Sequence, residues 1–169
     1  MKKIVILSVL AVMAVCSVAC FATVKNKTKA PDFTLPVAGK EKQKVTLSKQ
    51  TGYVLLVDFW ATWCPPCRKE IPELMKLKKD YKGKPFKLIG IAADDDESDV
   101  VAFIRKNNLD YTVLFDPRVK TTGESYEIEA FPTTYIIDKE GKVAASFVGF
   151  RGDEIKYMKK VIDKCLENK

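Results

Sequence analysis

The run Val54-Leu-Leu-Val-Asp-Phe-Trp60, followed within four residues by Cys64-Pro-Pro-Cys67, constrains this chain more than any other feature. A strand-like apolar segment leads directly into two cysteines three residues apart at the start of a helical pattern. That is the geometry a reversible disulfide needs. The first sulfur is expected where a helix leaves backbone N–H groups unpaired and carries a partial positive charge, which favours thiolate. Cys64 is therefore the expected nucleophile. Cys67, one turn further in and less exposed, is expected to reach it and resolve a mixed disulfide.

Two plainer readings compete. A structural zinc site wants four Cys or His ligands, and the chain has no histidine and a single Cys-x-x-Cys. No metal is therefore expected. A static disulfide meets the same spacing, but two prolines between the cysteines above a helix N-terminus fit exchange better.

The first residues read as targeting. Lys2 and Lys3 precede an apolar stretch from Ile4 to about Val15, extendable to Val24, with no charge before Lys25. Residues 1–24 are expected to be an export signal or an uncleaved membrane anchor, residues 25–29 a solvated tether, and residues 30–169 one domain outside the cytoplasm, in the periplasm or on the outer face of the membrane. Ser17-Val-Ala-Cys20 resembles a bacterial lipoprotein signal, departing from it at Ser17, so Cys20 is a candidate for lipidation. Cys16 fits less well, and both cysteines are equally read as small apolar residues. The net charge of +7 is spread along the chain, too diffuse for a nucleic-acid partner.

Strand and helix patterns then alternate. Val45–Leu47 and Val54–Trp60 read as strands, Pro66–Tyr81 as a helix, Phe86–Ala92 as a buried strand and Glu97–Asn107 as a second helix. A short strand Tyr111–Phe115, a brief helix around Val119–Tyr126, strands Thr133–Ile137 and Val143–Phe150 and a last helix from Asp153 to Glu167 follow. The fold class is α/β with a mixed sheet. Ile155, Met158, Ile162, Cys165 and Leu166 recur at helical spacing, so Cys165 reads as core. The acidic run Asp94–Glu97 reads as a loop capping the helix after it. Trp60 and Trp63 are expected to form an apolar rim around the cysteines.

From about Ala30 onward the chain resembles the thioredoxin superfamily and, within it, the exported TlpA/ResA-like thiol-disulfide oxidoreductases. Besides the cysteine pair, the resemblance rests on Ala-Pro-Asp-Phe-Thr-Leu35 at the start, Pro72 in the active-site helix, the segment Phe86–Phe115, and Phe131-Pro132-Thr133. It implies a thioredoxin-like three-layer sandwich, with Phe86–Phe115 as an extra strand-helix insertion. It also implies that the Phe131–Pro132 bond is cis, facing the cysteines, and that the Phe131 backbone pairs with an extended substrate. An ordinary trans proline before a strand is the alternative. Phe131, Pro132, Trp63, Pro65 and Pro66 are the expected substrate-binding residues.

Two carboxylates join the candidate catalytic residues Cys64 and Cys67. Asp58 is costly in its apolar run unless it has work to do. The resemblance makes it the proton acceptor for Cys67, through water; an exposed face of an edge strand is the alternative. Glu70 lies three positions after Cys67, and its family counterpart adjusts the cysteine pKa values. An ordinary acid in an early helical turn is the other reading.

The resemblance implies a reductant of protein disulfides that needs no cofactor. Its expected partners are a membrane thiol-electron transporter and oxidised exported proteins, apocytochrome c among them. A peroxiredoxin-type peroxidase shares the opening motif, but its Pro-and-Thr motif around a lone cysteine is absent. A copper-binding thioredoxin-like module would need Cys-x3-Cys and a histidine; the cysteine pair at the head of the helix is Cys-x-x-Cys, and the chain has no histidine.

Overall fold

The computed structural model describes residues 28–167. The expected leader, Cys16, Cys20 and residues 25–27 of the expected tether lie outside them. The chain runs through β1 (Thr34–Val37), β2 (Lys40–Thr46), β3 (Val54–Trp60), α1 (Pro65–Asp80), β4 (Phe86–Ala92), α2 (Glu97–Lys106), β5 (Thr112–Phe115), β6 (Thr133–Ile137), β7 (Val143–Val148) and α3 (Glu154–Glu167). These strands form one mixed sheet in the order β2-β1-β5-β4-β3-β6-β7. Strands β3, β4 and β5 are parallel, and β6 returns antiparallel against β3.

Burial explains the central strand. Every residue of β3 is buried, with β4 on one side and β6 on the other, which is why its sequence is almost continuously apolar. Alternation along β3 divides the core. Leu55, Val57 and Phe59 pack with Ala30, Phe33, Leu35, Leu47 and Tyr126 on one face. Val54 and Leu56 meet Leu74 and Leu77 of α1 and Met158, Ile162 and Cys165 of α3 on the other. Each such buried aliphatic side chain stabilises the fold by roughly 1.5–3 kcal/mol. Further along that face, Trp60 packs with Ile71 of α1 and Val100 of α2.

The sheet and three helices form the expected α/β sandwich, and β4-α2-β5 is the expected insertion. Asp96 caps α2, accepting from the Ser98 N–H at 2.8 Å, as the acidic run implies.

Three elements differ from expectation. Thr34–Val37 forms β1, a four-residue strand where the sequence pattern predicts none. Lys40–Thr46 is a full strand, where the sequence pattern predicts only Val45–Leu47. Its charged, exposed residues suit an edge that pairs with β1 alone. The brief helix expected at Val119–Tyr126 is absent. A 3-10 turn at Pro117–Val119 gives way to further turns because the buried Asp116 carboxylate gathers the N–H groups of Thr121 and Thr122 and the Thr122 hydroxyl. The third layer of the sandwich is thus built from turns and the N-terminal segment. That segment is pinned early: Lys29 bridges to Lys142, and the Thr28 carbonyl accepts from the Val143 N–H at 2.9 Å.

Candidate active site

The cysteine pair sits at the junction of β3 and α1. Cys64 is the N-cap of α1 with extended backbone, and Pro65 and Pro66 begin the helix. Proline suits these positions because its missing N–H is one that a helix start leaves unpaired. The first N–H that the terminus offers is therefore that of Cys67, and it donates to Cys64 Sγ at 3.2 Å. The two sulfurs are joined in a disulfide, with Cα atoms 5.3 Å apart. Cys64 is 3% exposed and Cys67 fully buried, the order of exposure expected.

The approach to Cys64 is held from both sides. Both oxygens of the buried Asp94 carboxylate accept from the Thr62 N–H at 3.1 Å, and one accepts from its hydroxyl. Arg68 Nε donates to the Thr62 carbonyl at 2.6 Å. The acidic run after β4 thus fixes the active-site loop as well as capping α2.

A groove of about 680 Å³ opens beside Cys64, lined by Trp63, Pro65, Pro66, Val119, Ile128 and Phe131, with Asp95, Arg118 and Glu129 among its polar residues. Trp63 is 62% exposed, and its ring meets that of Phe131 edge-on at 5.9 Å. Asp95 and Arg118 form an ion pair. The Phe131–Pro132 bond is cis, as the resemblance implies. Two expectations are corrected here. Trp60 is fully buried against Phe103, because the parity of β3 turns it inward, so Trp63 alone supplies the tryptophan of the rim. Pro132 is buried and does not line the groove; Phe131 does.

Asp58 is buried on the central strand rather than exposed on an edge. In the pairing of β3 with β6 it faces Thr134. The single Thr134 hydroxyl lies 3.4 Å from Oδ1 of Asp58 and 3.3 Å from Oε1 of Glu70. A hydroxyl carries one proton, so it donates to one carboxyl and accepts from the other only when that one is protonated. Burial pushes Asp58 up to about 7, against the lowering effect of the Thr134 hydroxyl. Burial, and then the charge of Asp58, push Glu70 up to about 10. Burial and the neighbouring carboxyl thus both favour the protonated form of Glu70, which lies within one helical turn of Cys67.

A family model described as Redoxin matches residues 25–163 of the chain. The ResA thiol-disulfide oxidoreductase of Bacillus cereus is 36% identical over 121 residues, covering 72% of this chain and 68% of that protein. The chain is a Redoxin-family thiol-disulfide oxidoreductase of the TlpA/ResA-like group. The thioredoxin-like protein YneN of Bacillus subtilis is 35% identical over 129 residues, covering 75% of this chain and 73% of that one. Among solved structures, the thioredoxin domain of a thiol-disulfide oxidoreductase from Bacteroides vulgatus superposes with a TM-score of 0.72 at 32% identity, over 80% of this chain and 96% of that one.

Within this TlpA/ResA-like site, Thr134 is a residue that sequence reasoning missed. Its signal was weak, since in Thr133-Thr-Tyr-Ile-Ile137 it follows another threonine and threonine is common in strands. The groove residues Asp95, Arg118, Val119 and Glu129 left no such signal. Asp95 reaches the site from the loop after β4, and the other three through the turns after β5, where Arg118 and Val119 take positive φ of 52° and 46°.

Proposed function

We propose that this oxidoreductase is an exported reductant of protein disulfides, in which Cys64 attacks and Cys67 resolves. The observation that carries this reading is the Cys67 N–H on Cys64 Sγ at the head of α1. It gives the Cys64 thiolate, and not that of Cys67, a helix N-terminal donor. The thiolate of Cys64 attacks one sulfur of the substrate disulfide, and the other sulfur leaves as a thiolate. Cys67 then gives up its proton to Asp58 and attacks Cys64, closing the Cys64–Cys67 disulfide and releasing the second substrate sulfur. The substrate gains two electrons and the enzyme loses two.

The buried acid pair and the two prolines support the reducing direction. Oxidising members of such couples gain their potential by stabilising the reduced thiolate. Here Pro65 and Pro66 remove two donors from the helix start, and a carboxyl pair close to Cys67 disfavours a second negative charge. The groove between Trp63 and Phe131 would take an apolar side chain of the substrate peptide beside its cysteine. Residues 1–24 would export the chain or anchor it in the membrane, with Cys20 as a lipidation site. A membrane thiol-electron transporter would restore the dithiol, and apocytochrome c is a fitting substrate. The peroxidase reading is disfavoured by the partner cysteine three residues away.

The test is to mix the pre-reduced protein with a protein disulfide in stoichiometric amount, without other reductant. One disulfide equivalent of substrate should be reduced as Cys64–Cys67 forms. Unchanged substrate, with the dithiol intact, would contradict the proposal.

A further inference from the structure

Four polar atoms in the interior behind the cysteines make no hydrogen bond to any described residue: Oδ2 of Asp58, Oε2 of Glu70, the indole N–H of Trp60 and the hydroxyl of Tyr111. A buried polar atom left unpaired is unfavourable, and each one in a native fold calls for an explanation.

Sheet register explains how they come together. Asp58 pairs with Gly90 across β3 and β4, as it pairs with Thr134 across β3 and β6. A Cβ on Gly90 would lie 2.8 Å from Trp60 Nε1 and 3.0 Å from a ring carbon of Tyr111. Such approaches are closer than real Cβ atoms make, so the indole nitrogen and the phenol ring occupy the space opposite Asp58 that a side chain would fill. Gly90 is absent from the positive-φ glycines. Close approach, rather than backbone conformation, accounts for glycine there.

The charges that act on Glu70 and Tyr111 are acidic, although Lys78 pairs with Asp110 at 3.0 Å and Arg151 acts on Glu154. Glu70 feels Asp58 and, from α3, Glu154; Tyr111 feels Asp58, Glu70 and the neighbouring Asp110. At the head of α1 Cys67 is buried beside Trp60 while Arg68 and Lys69 are exposed, and Thr134 is the contribution of β6. Among the described residues no lysine or arginine forms an ion pair with either carboxyl. Stabilisation of an ionised carboxylate must therefore come from neutral donors. An indole N–H donates only, a phenol can donate, and a carboxylate oxygen accepts. Water in a polar interior site typically makes two to four hydrogen bonds, which is the number these atoms offer.

We propose that Trp60 and Tyr111 are positioning residues which, through water held between their unpaired polar atoms and those of the carboxyls, donate to the Asp58–Glu70 pair and stabilise the ionised carboxylate that receives the proton of Cys67. This rests on Asp58 being the proton acceptor in the proposed function. Glu70, protonated, supplies its own proton to the same network. During resolution the Cys67 S–H bond breaks, its proton passes to Asp58, the Cys67–Cys64 bond forms, and the substrate sulfur leaves with the bonding pair.

The experiment measures the rate of the resolving step against pH by stopped flow, using the full chain and a protein disulfide, for Asp58→Asn, Tyr111→Phe and Gly90→Ala. Asp58→Asn should remove the titration from the profile. Tyr111→Phe keeps the ring and loses the donor, so its midpoint should move up by at least half a pH unit and the step should slow severalfold at neutral pH. Gly90→Ala should do the same by pushing the indole nitrogen and the phenol ring out of place, while attack of Cys64 on a small disulfide stays within twofold of wild type in both. The carboxyl stretching band of the oxidised protein should move to higher frequency in Tyr111→Phe, because a donor has been lost. If Asp58→Asn removes the titration but Tyr111→Phe leaves both midpoint and band in place, the positioning role is overturned and the role of Asp58 stands. If Asp58→Asn leaves the profile as it was, the proton-acceptor reading falls and this inference falls with it.

Discussion

The backbone N–H of Cys67 points at the sulfur of Cys64 across 3.2 Å. It is the first donor available once Pro65 and Pro66 have occupied the opening positions of α1. A fully open helix start presents several such groups to an N-cap atom; here one remains. Under the proposed function, that single donor stabilises the Cys64 thiolate enough to make it the attacking sulfur and too little to make the couple a strong oxidant.

Cys64→Ser should lose protein-disulfide reduction by roughly a thousandfold or more, since Cys67, the other thiol of the pair, is fully buried. Cys67→Ser should still attack and then stop, accumulating a covalent adduct with substrate. Non-reducing electrophoresis and mass measurement distinguish the two. Stable adducts formed by Cys64→Ser instead would reverse the roles.

Asp58→Asn should slow resolution by about 10²–10⁴-fold, the usual contribution of a positioned base, while leaving the first attack nearly unchanged. An amide keeps the shape of the side chain but takes no proton. Two-phase stopped-flow traces report the steps separately, and two unchanged phases would place Asp58 outside the reaction.

Glu70 and Asp58 should make the oxidised fold less stable as pH rises. Both have folded values above their ordinary ones, 4.5 and 3.8, so the unfolded chain ionises first. Their contribution is intact below those ordinary values and is lost as pH climbs through the folded values, toward about 7 for Asp58 and about 10 for Glu70. Glu70→Gln, which cannot ionise, should gain on wild type with pH, reaching on the order of a few kcal/mol near pH 8. Denaturant unfolding at pH 5 and pH 8 measures this, and a pH-independent difference would contradict it.

Phe131→Ala and Trp63→Ala should weaken reaction with protein disulfides by about tenfold each, through roughly 1–2 kcal/mol of lost apolar contact. Exchange with dithiothreitol, which needs no groove, should stay near normal. Equal losses toward both reagents would mean that the rings support the cysteine pair rather than the bound peptide.

Some of this architecture is open to reading from the chain. The β3-α1 unit declares itself because seven nearly continuous apolar residues end at two cysteines and a helix-starting proline. Asp58 stands out as the one charge in that run. The strand Lys40–Thr46 stays hidden because an edge strand exposed to solvent has no need of apolar alternation. The turns at 117–127 depend on the buried Asp116 carboxylate, whose partners lie five and six residues away and outcompete a helix that the composition allows. The meeting of Trp60, Tyr111 and Gly90 with Asp58 is set by the register of three strands. A change of one residue in that register would send each side chain to the opposite face, and nothing in the linear sequence fixes it.

The reduction potential of the Cys64/Cys67 couple tests the central claim most directly. Equilibration of the full chain against graded ratios of reduced and oxidised dithiothreitol or glutathione, with thiols trapped and counted by mass, gives the value. A reductant built as described should lie below about −230 mV, in the neighbourhood of thioredoxin at about −270 mV. A potential near about −120 mV, the strongly oxidising end of the range, would contradict it.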